Sequence, residues 1–254
     1  MISLAYSLIE RAQFLQNSPV YEVGGLAHPG GDVPFLHYFL RETESLHSKV
    51  RRYTSPDETP FFDDLPEPLM EELTFPDTVK CGIDVNLGRK ILDTYVTALI
   101  PSLVAEGDDK NYGSTAVCDT QCLQALSKRI HFGKFVAEAK FCDPNLHDKY
   151  VQLIKAKDED GIMELLTNSA VEKKLLARVY EKAQSYGHDV AEQMGDDTTL
   201  KQLPDLVARI YENHIIPMTK EVEVLYLLQR LDTSVSSGSS TFLSEVSEEA
   251  SNTV

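Results

Sequence analysis

Positive charge is scarce in this 254-residue chain: 24 Lys+Arg stand against 40 Asp+Glu, a formal net charge of −16. That balance excludes a general nucleic-acid binder and a protein of anionic membrane surfaces, because phosphate-rich partners require a positive face. A small anionic ligand remains possible if the few basic residues that hold it are gathered locally and shielded. Long apolar runs are missing as well. Nothing approaches the roughly 20 residues of a membrane span. Glu10 and Arg11 interrupt the opening MISLAYSLIERAQFL, and no small-residue cleavage site follows it. Cysteine is limited to Cys81, Cys118, Cys122 and Cys142, without paired CxxC spacing and histidine partners. Reduced, half-buried thiols in a reducing compartment are the expectation, with no metal site. Strand-like alternation is nearly absent, and no internal repeat is visible. What is present suffices for a buried core: 42% of residues are hydrophobic and 25% charged.

The dominant signal is helical periodicity. Leu36, Phe39, Leu40, Thr43, Leu46 and Val50 keep i, i+3, i+4 spacing from near Pro34. Leu87, Ile91, Tyr95, Ala98 and Leu103 predict another helix after Asp84, kinked or interrupted at Pro101. Ser114 to Cys142 contains no proline and predicts one unbroken helix, roughly 43 Å long at 1.5 Å per residue. A helix over Asn168 to Tyr186 opens on the capping chemistry of Thr167–Asn168–Ser169. The last runs from about Pro204 to Leu231, with a kink expected at Pro217. Residues 233–254 hold eight serines and three glutamates and read as a disordered tail. The expectation is an all-α, single helical-bundle domain over 1–232, followed by that tail.

Several polar residues recur where helices bring them together. Arg129 and Lys140 are eleven residues apart, about 20° beyond three full turns, so they share a face about 16 Å apart. Asn168 and Glu172 are i, i+4, as are Thr219 and Glu223. Two cations, two acids, an amide and a hydroxyl suit a small polyanion that carries a hydroxyl group. On spacing alone the signal is weak, and solvated faces are the stronger reading of these pairs. His131 lacks a visible metal partner and is assigned to packing or hydrogen bonding.

The run Cys122–LQALSKRIHFGKFVAEAKF–Cys142 resembles the signature helix of the eukaryotic all-helical chorismate mutases. So do LIERAQF (8–14), RRYTSPDETPFF (51–62), GDDKNYGSTA (107–116), TNSAVE (167–172) and IPMTKEVEVLYLLQRL (216–231), in family order. The resemblance implies a helical homodimer that converts chorismate to prephenate without a cofactor, on the route to phenylalanine and tyrosine. It implies roles position by position. Arg129 would clamp a substrate carboxylate through its planar fork. Lys140 would donate to the ether oxygen as the C–O bond breaks, and a protonated Glu223 would donate from the other side. Glu172 would accept from the ring hydroxyl, Asn168 would position a neighbouring group, and Thr219 would help fix the second carboxylate.

The family also carries a helical stretch ahead of LIERAQF, with a second carboxylate-binding arginine. Met1 stands close to Leu8 here, and that arginine has no counterpart; Arg11 matches a different position. The resemblance therefore implies an N-terminally incomplete copy of an active enzyme, with a weakened homologue acting as a binding or regulatory partner as the alternative. It further places aromatic effectors, tryptophan and tyrosine, at a dimer interface through Arg51, Arg52, Gly113 and Ser114. Val117 and Leu203 stand where fungal members have threonines. The expected compartment is the cytoplasm, or a plastid if a transit segment precedes the sequence.

Overall fold

The computed structural model describes residues 2–71, 73–76, 78–80, 85–194 and 203–231. The expected serine-rich tail at 233–254 lies outside the described residues, as does Cys81. Within them every extended element is helical, and the sole strand-like contact is an isolated Val23–Pro34 bridge. The helices are α1 (Ile2–Arg11), α2 (Phe35–Lys49), α3 (Gly88–Thr94), α4 (Ile100–Leu103), α5 (Tyr112–His131), α6 (Gly133–Phe141), α7 (His147–Ala156), α8 (Glu159–Leu166), α9 (Ser169–Met194), α10 (Leu203–Ile210) and α11 (Ile216–Gln229). No helix among them is long and apolar enough to cross a membrane.

The two prolines expected to kink helices do so by the same device. Five-residue π turns, Tyr95–Leu99 and Tyr211–Ile215, immediately precede the helices that carry Pro101 and Pro217 at their starts. Proline lacks an N–H and its ring crowds the carbonyl four residues back. Widening the turn relieves that crowding, and the Ile100 and Ile216 N–H groups reach back to the Tyr95 and Tyr211 carbonyls. The long helix expected from Ser114 to Cys142 is instead two, α5 and α6, separated by Phe132. Phe132 stays right-handed at φ −59° and ψ −17°, and Phe135 N–H closes a tight turn onto its carbonyl at 3.0 Å. The cause is Gly133. A Cβ there would sit 2.7 Å from the Thr219 carbonyl oxygen and 3.3 Å from Val222. The missing side chain lets the backbone of α11 press against the α5–α6 junction, which draws Thr219 and Glu223 toward Arg129 and Lys140.

The core runs through Leu123, Leu126, Ile130, Ala137 and Phe141 of α5–α6, closed by Leu8 and Ile9 of α1, Leu36 and Leu40 of α2, and Val222 and Leu227 of α11. Polar pins cross it. Arg11 is fully buried, with Nε donating to Asp119 Oδ1 at 2.6 Å and its remaining nitrogens to the Phe14, Leu15 and Gln16 carbonyls. Tyr21 and Tyr95 also donate to Asp119, each at 2.8 Å. Each Arg11 nitrogen and both Asp119 oxygens are engaged, so the buried pair fixes α1 against α5 rather than standing as a stray charge. Glu138 likewise accepts from Tyr226 at 2.7 Å and from both arms of Arg230, at 2.6 and 2.8 Å, tying α6 to the end of α11. His131 has the structural role expected of it: its Nε2 accepts from Leu87 N–H at 2.9 Å, where α3 begins. Cys118, Cys122 and Cys142 are unbridged.

Candidate active site

Four segments meet around Glu223. It projects from the second turn of α11 and is 5% exposed. Lys140, from the last turn of α6, bridges it to the end of α8: Nζ donates to Glu223 Oε2 at 3.0 Å and to the Leu166 carbonyl at 2.9 Å. Leu166 ends its helix, where carbonyls lack intrahelical partners and the helix dipole is negative, so a lysine belongs there. Arg129, in the last turn of α5, is the third member. Its side chain is half-buried, and no hydrogen bond or ion pair holds its guanidinium among the described residues. Desolvation pulls its pKa below the ordinary value, against the attraction of Tyr211 and Glu223. It is a cation held ready.

The electrostatics of Glu223 follow from the same crowding. Burial pushes its pKa above the ordinary carboxylate value, while Lys140, Arg129 and Lys220 pull it down; burial prevails. A carboxyl so placed can hold a proton at a pH where an exposed glutamate is ionised.

Glu172, in the first turn of α9, lies on the rim and pairs with Lys220 at 2.6 Å. Sequence reasoning missed Lys220, which adjoins Thr219 but projects about 100° further round α11 and so lies outside the i, i+4 pattern. The other two expected residues spend polar groups on the chain itself. Asn168 is exposed and caps α9, its Oδ1 accepting from Ala170 and Val171 N–H at 3.1 and 3.3 Å. Only its Nδ2 remains for a ligand. Thr219 donates its hydroxyl to the Ile215 carbonyl at 2.7 Å inside the helix. Tyr211 and Tyr150 were also missed; both are fully buried, with hydroxyl oxygens that have no hydrogen-bond partner among the described residues. Burial raises both hydroxyls to about 12, so both are neutral donors near pH 7. Tyr211 opens the π turn before Pro217, and Tyr150 sits in α7. Among the described residues no group of three or more His, Cys, Asp and Glu is placed to hold a metal ion.

The residues expected to bind effectors are not gathered within one chain. Arg52 contacts Glu58, His47 and Gln124, at 3.2, 2.9 and 2.9 Å. Arg51 has a left-handed backbone, φ 67°, and donates to the Glu71 carbonyl. Gly113 and Ser114 lie exposed in the first turn of α5. Gln124 is about three helical turns farther along, so roughly 16 Å of α5 separates the two pairs. A groove of about 430 Å³ runs along α1 and α5, lined by Tyr6, Glu10, Arg52, Gln121, Gln124 and Lys128.

The site can bind a small anion through Arg129 and meet negative charge growing on an oxygen through Lys140 and a protonated Glu223. Similarity to known proteins points the same way. A family profile described as chorismate mutase type II matches residues 111–224, the stretch that carries the whole cluster. Chorismate mutase 1, chloroplastic, from Petunia hybrida is 48% identical over 236 residues, covering 91% of this chain and 72% of that protein. A crystal structure of AtCM1 with tyrosine bound in its allosteric site superimposes with a TM-score of 0.81 at 43% identity, covering 91% of each chain. The Aro7p chorismate mutase of Candida albicans, in complex with L-Trp, gives 0.82 at 42% identity, over 92% of this chain and 88% of that one. With relatives this similar over nine-tenths of its length, the chain belongs to the chorismate mutase type II family.

Proposed function

We propose that this chain isomerises chorismate to prephenate in the cluster around Glu223. The observation that carries the assignment of the site is the unpaired Arg129 guanidinium beside the Lys140–Glu223 pair. Chorismate carries two carboxylates, a ring hydroxyl and an enolpyruvyl ether. Its C–O ether bond breaks as a new C–C bond forms within the same molecule, so atoms and electrons balance without a co-reactant. Arg129 takes a carboxylate in the bidentate geometry its fork favours, completing an ion pair that its guanidinium does not make among the described residues. Lys140 and protonated Glu223 donate to the ether oxygen, where negative charge grows. Glu172 accepts from the ring hydroxyl once it shares or gives up Lys220. Asn168 offers its Nδ2, and Thr219 contacts the second carboxylate when its hydroxyl leaves Ile215. Rate comes from holding the flexible side chain in its reactive conformer and from donors aimed at developing charge in a desolvated site.

The test is the pH profile. Glu223 donates only when protonated, so activity is full below its folded-state pKa and falls about tenfold per pH unit above it. Because burial raises that pKa, the fall begins at higher pH than an exposed glutamate would give. Glu223→Gln donates at any pH and should remove the alkaline fall in chorismate consumption. The same fall in that variant would rule out Glu223 as the donor. A chain that consumes no chorismate yet still binds aromatic amino acids would be a regulatory partner instead.

Effector binding is proposed across a homodimer. Arg51 and Arg52 of one copy meet Gly113 and Ser114 of another, supported by the separation of the two pairs within one chain. Exposed N–H groups in the first turn of α5 and a nearby arginine suit an amino-acid carboxylate. Tryptophan should activate and tyrosine inhibit. Chorismate saturation curves with each effector, repeated for Arg52→Ala, check this. Curves unchanged by either amino acid would leave these residues without that role. The compartment reading is cytoplasmic, with the plastid as alternative since the Petunia hybrida relative is named chloroplastic. Microscopy of the tagged gene product separates the two.

A further inference from the structure

Tyr150 sits mid-way along α7, which packs on α6, α8 and α11, and none of its surface reaches solvent. Its hydroxyl oxygen is buried without a hydrogen-bond partner among the described residues. Leaving such a group unpaired costs about 1–3 kcal/mol, which phenylalanine would avoid, so the hydroxyl calls for a reason. Two acidic groups act on it, Glu223 and Asp143. Glu223 is the stronger of the two; Asp143 takes the Asn145 backbone and side-chain amides on a single oxygen, Oδ1, at 2.9 and 3.0 Å. Glu223 has Lys140 on Oε2, with Arg129 acting from α5 and Lys220 from its own helix. Lys220 is engaged by Glu172, and Lys140 is the group the reaction calls toward the ether oxygen. When it moves there, the Glu223 carboxyl loses a donor.

We propose that Tyr150 is a positioning residue for Glu223, its hydroxyl closing on the carboxyl from α7 as Lys140 turns to the substrate. This rests on Glu223 being the protonated donor of the reaction. With Tyr150 on one oxygen, the acid proton stays on the oxygen that faces the ether. Because a hydroxyl donor favours the ionised carboxylate over the acid, Tyr150 also lowers the pH at which Glu223 gives up its proton.

The experiment measures kcat against pH for the wild-type protein, Tyr150→Phe, Glu223→Gln and the double variant, with Tm recorded for each. Tyr150→Phe should move the alkaline fall upward by about 0.5–1 pH unit and lower the acid-side plateau several-fold. Its Tm should stay at or above the wild-type value, because only an unpaired hydroxyl is lost. In the Glu223→Gln background the same change should shift nothing. An alkaline fall at the wild-type pH in Tyr150→Phe, with Glu223→Gln lacking it, overturns the role of Tyr150 and leaves that of Glu223 standing. A plateau loss that accompanies a lowered Tm, with the fall unmoved, overturns it equally. An alkaline fall that persists in Glu223→Gln overturns the reading of Glu223 and the proposal together.

Discussion

Lys140→Met is expected to lower kcat about 100- to 1000-fold, the loss seen when a donor to developing negative charge is removed from a preorganised site. The expectation comes from where Nζ is held. In the free protein it is shared between the Leu166 carbonyl and Glu223 Oε2, at 2.9 and 3.0 Å, two acceptors that aim the ammonium into the cluster. The ether oxygen of the ground state is a weak acceptor, and only bond breaking makes it strong. Binding of a ground-state analogue should therefore fall far less than kcat. Methionine preserves most of the packing volume but leaves the Leu166 carbonyl unpaired, a cost of about 1 kcal/mol in stability. A second consequence follows from the pair. Without the lysine, Glu223 loses the largest influence opposing burial, so its pKa rises further and the alkaline fall moves to higher pH. A lowered plateau combined with an upward-shifted limb distinguishes this from simple misfolding. Equal losses in kcat and analogue affinity would assign Lys140 to binding alone.

The parts of this architecture that were legible in the sequence are those governed by local chemistry. The apolar spacing of Leu36 to Val50 marked α2, the Thr167–Asn168–Ser169 cluster marked the start of α9, and Pro101 and Pro217 marked two interruptions. Helices α1, α7 and α8 were not read from periodicity. Each is ten residues or fewer and finds its stability in neighbours rather than in its own pattern. The break at Phe132 had the opposite cause. Nothing local to Gly133 announces that the backbone of α11, more than 80 residues later, lies against it. Arg11 was visible inside LIERAQF, but its partner Asp119 is 108 residues away, so its burial could not be read.

The site divides along the same line. The i, i+4 pair of Thr219 and Glu223 was legible as helical geometry. The shared face of Arg129 and Lys140 assumed one unbroken helix, a premise the break at Phe132 removes, yet the fold still brings Arg129 and Lys140 to Glu223. Tyr150, Tyr211 and Lys220 were not legible, because no pairing pattern in their own segments marks them. The effector residues show the limit of a single chain. Arg52 and Gly113 belong to well-marked motifs, yet within one chain they stand apart along α5, and the proposed effector site needs a second copy to join them.

Arg129→Met separates stability from function. In the free protein the guanidinium is partly desolvated and unpaired among the described residues, and desolvation holds its pKa below the ordinary value, so the fold disfavours its charge. A half-buried charge without a partner carries a desolvation cost that an apolar side chain of similar length does not. The Tm of Arg129→Met should therefore equal or exceed that of the wild-type protein. In the proposed site chorismate would reverse this balance, its carboxylate supplying the missing partner in a setting where partial desolvation strengthens the pair. Losing that contact should cost about 2–5 kcal/mol, or roughly 30-fold to several-thousand-fold in kcat/KM. Arg129→Lys should recover only part of it, since an ammonium keeps the charge but not the two-pronged geometry. Kinetics and thermal unfolding on the same preparations decide the matter. A variant that unfolds several degrees early while keeping its kcat/KM would make Arg129 a structural residue, with its partner inside the fold rather than in the substrate.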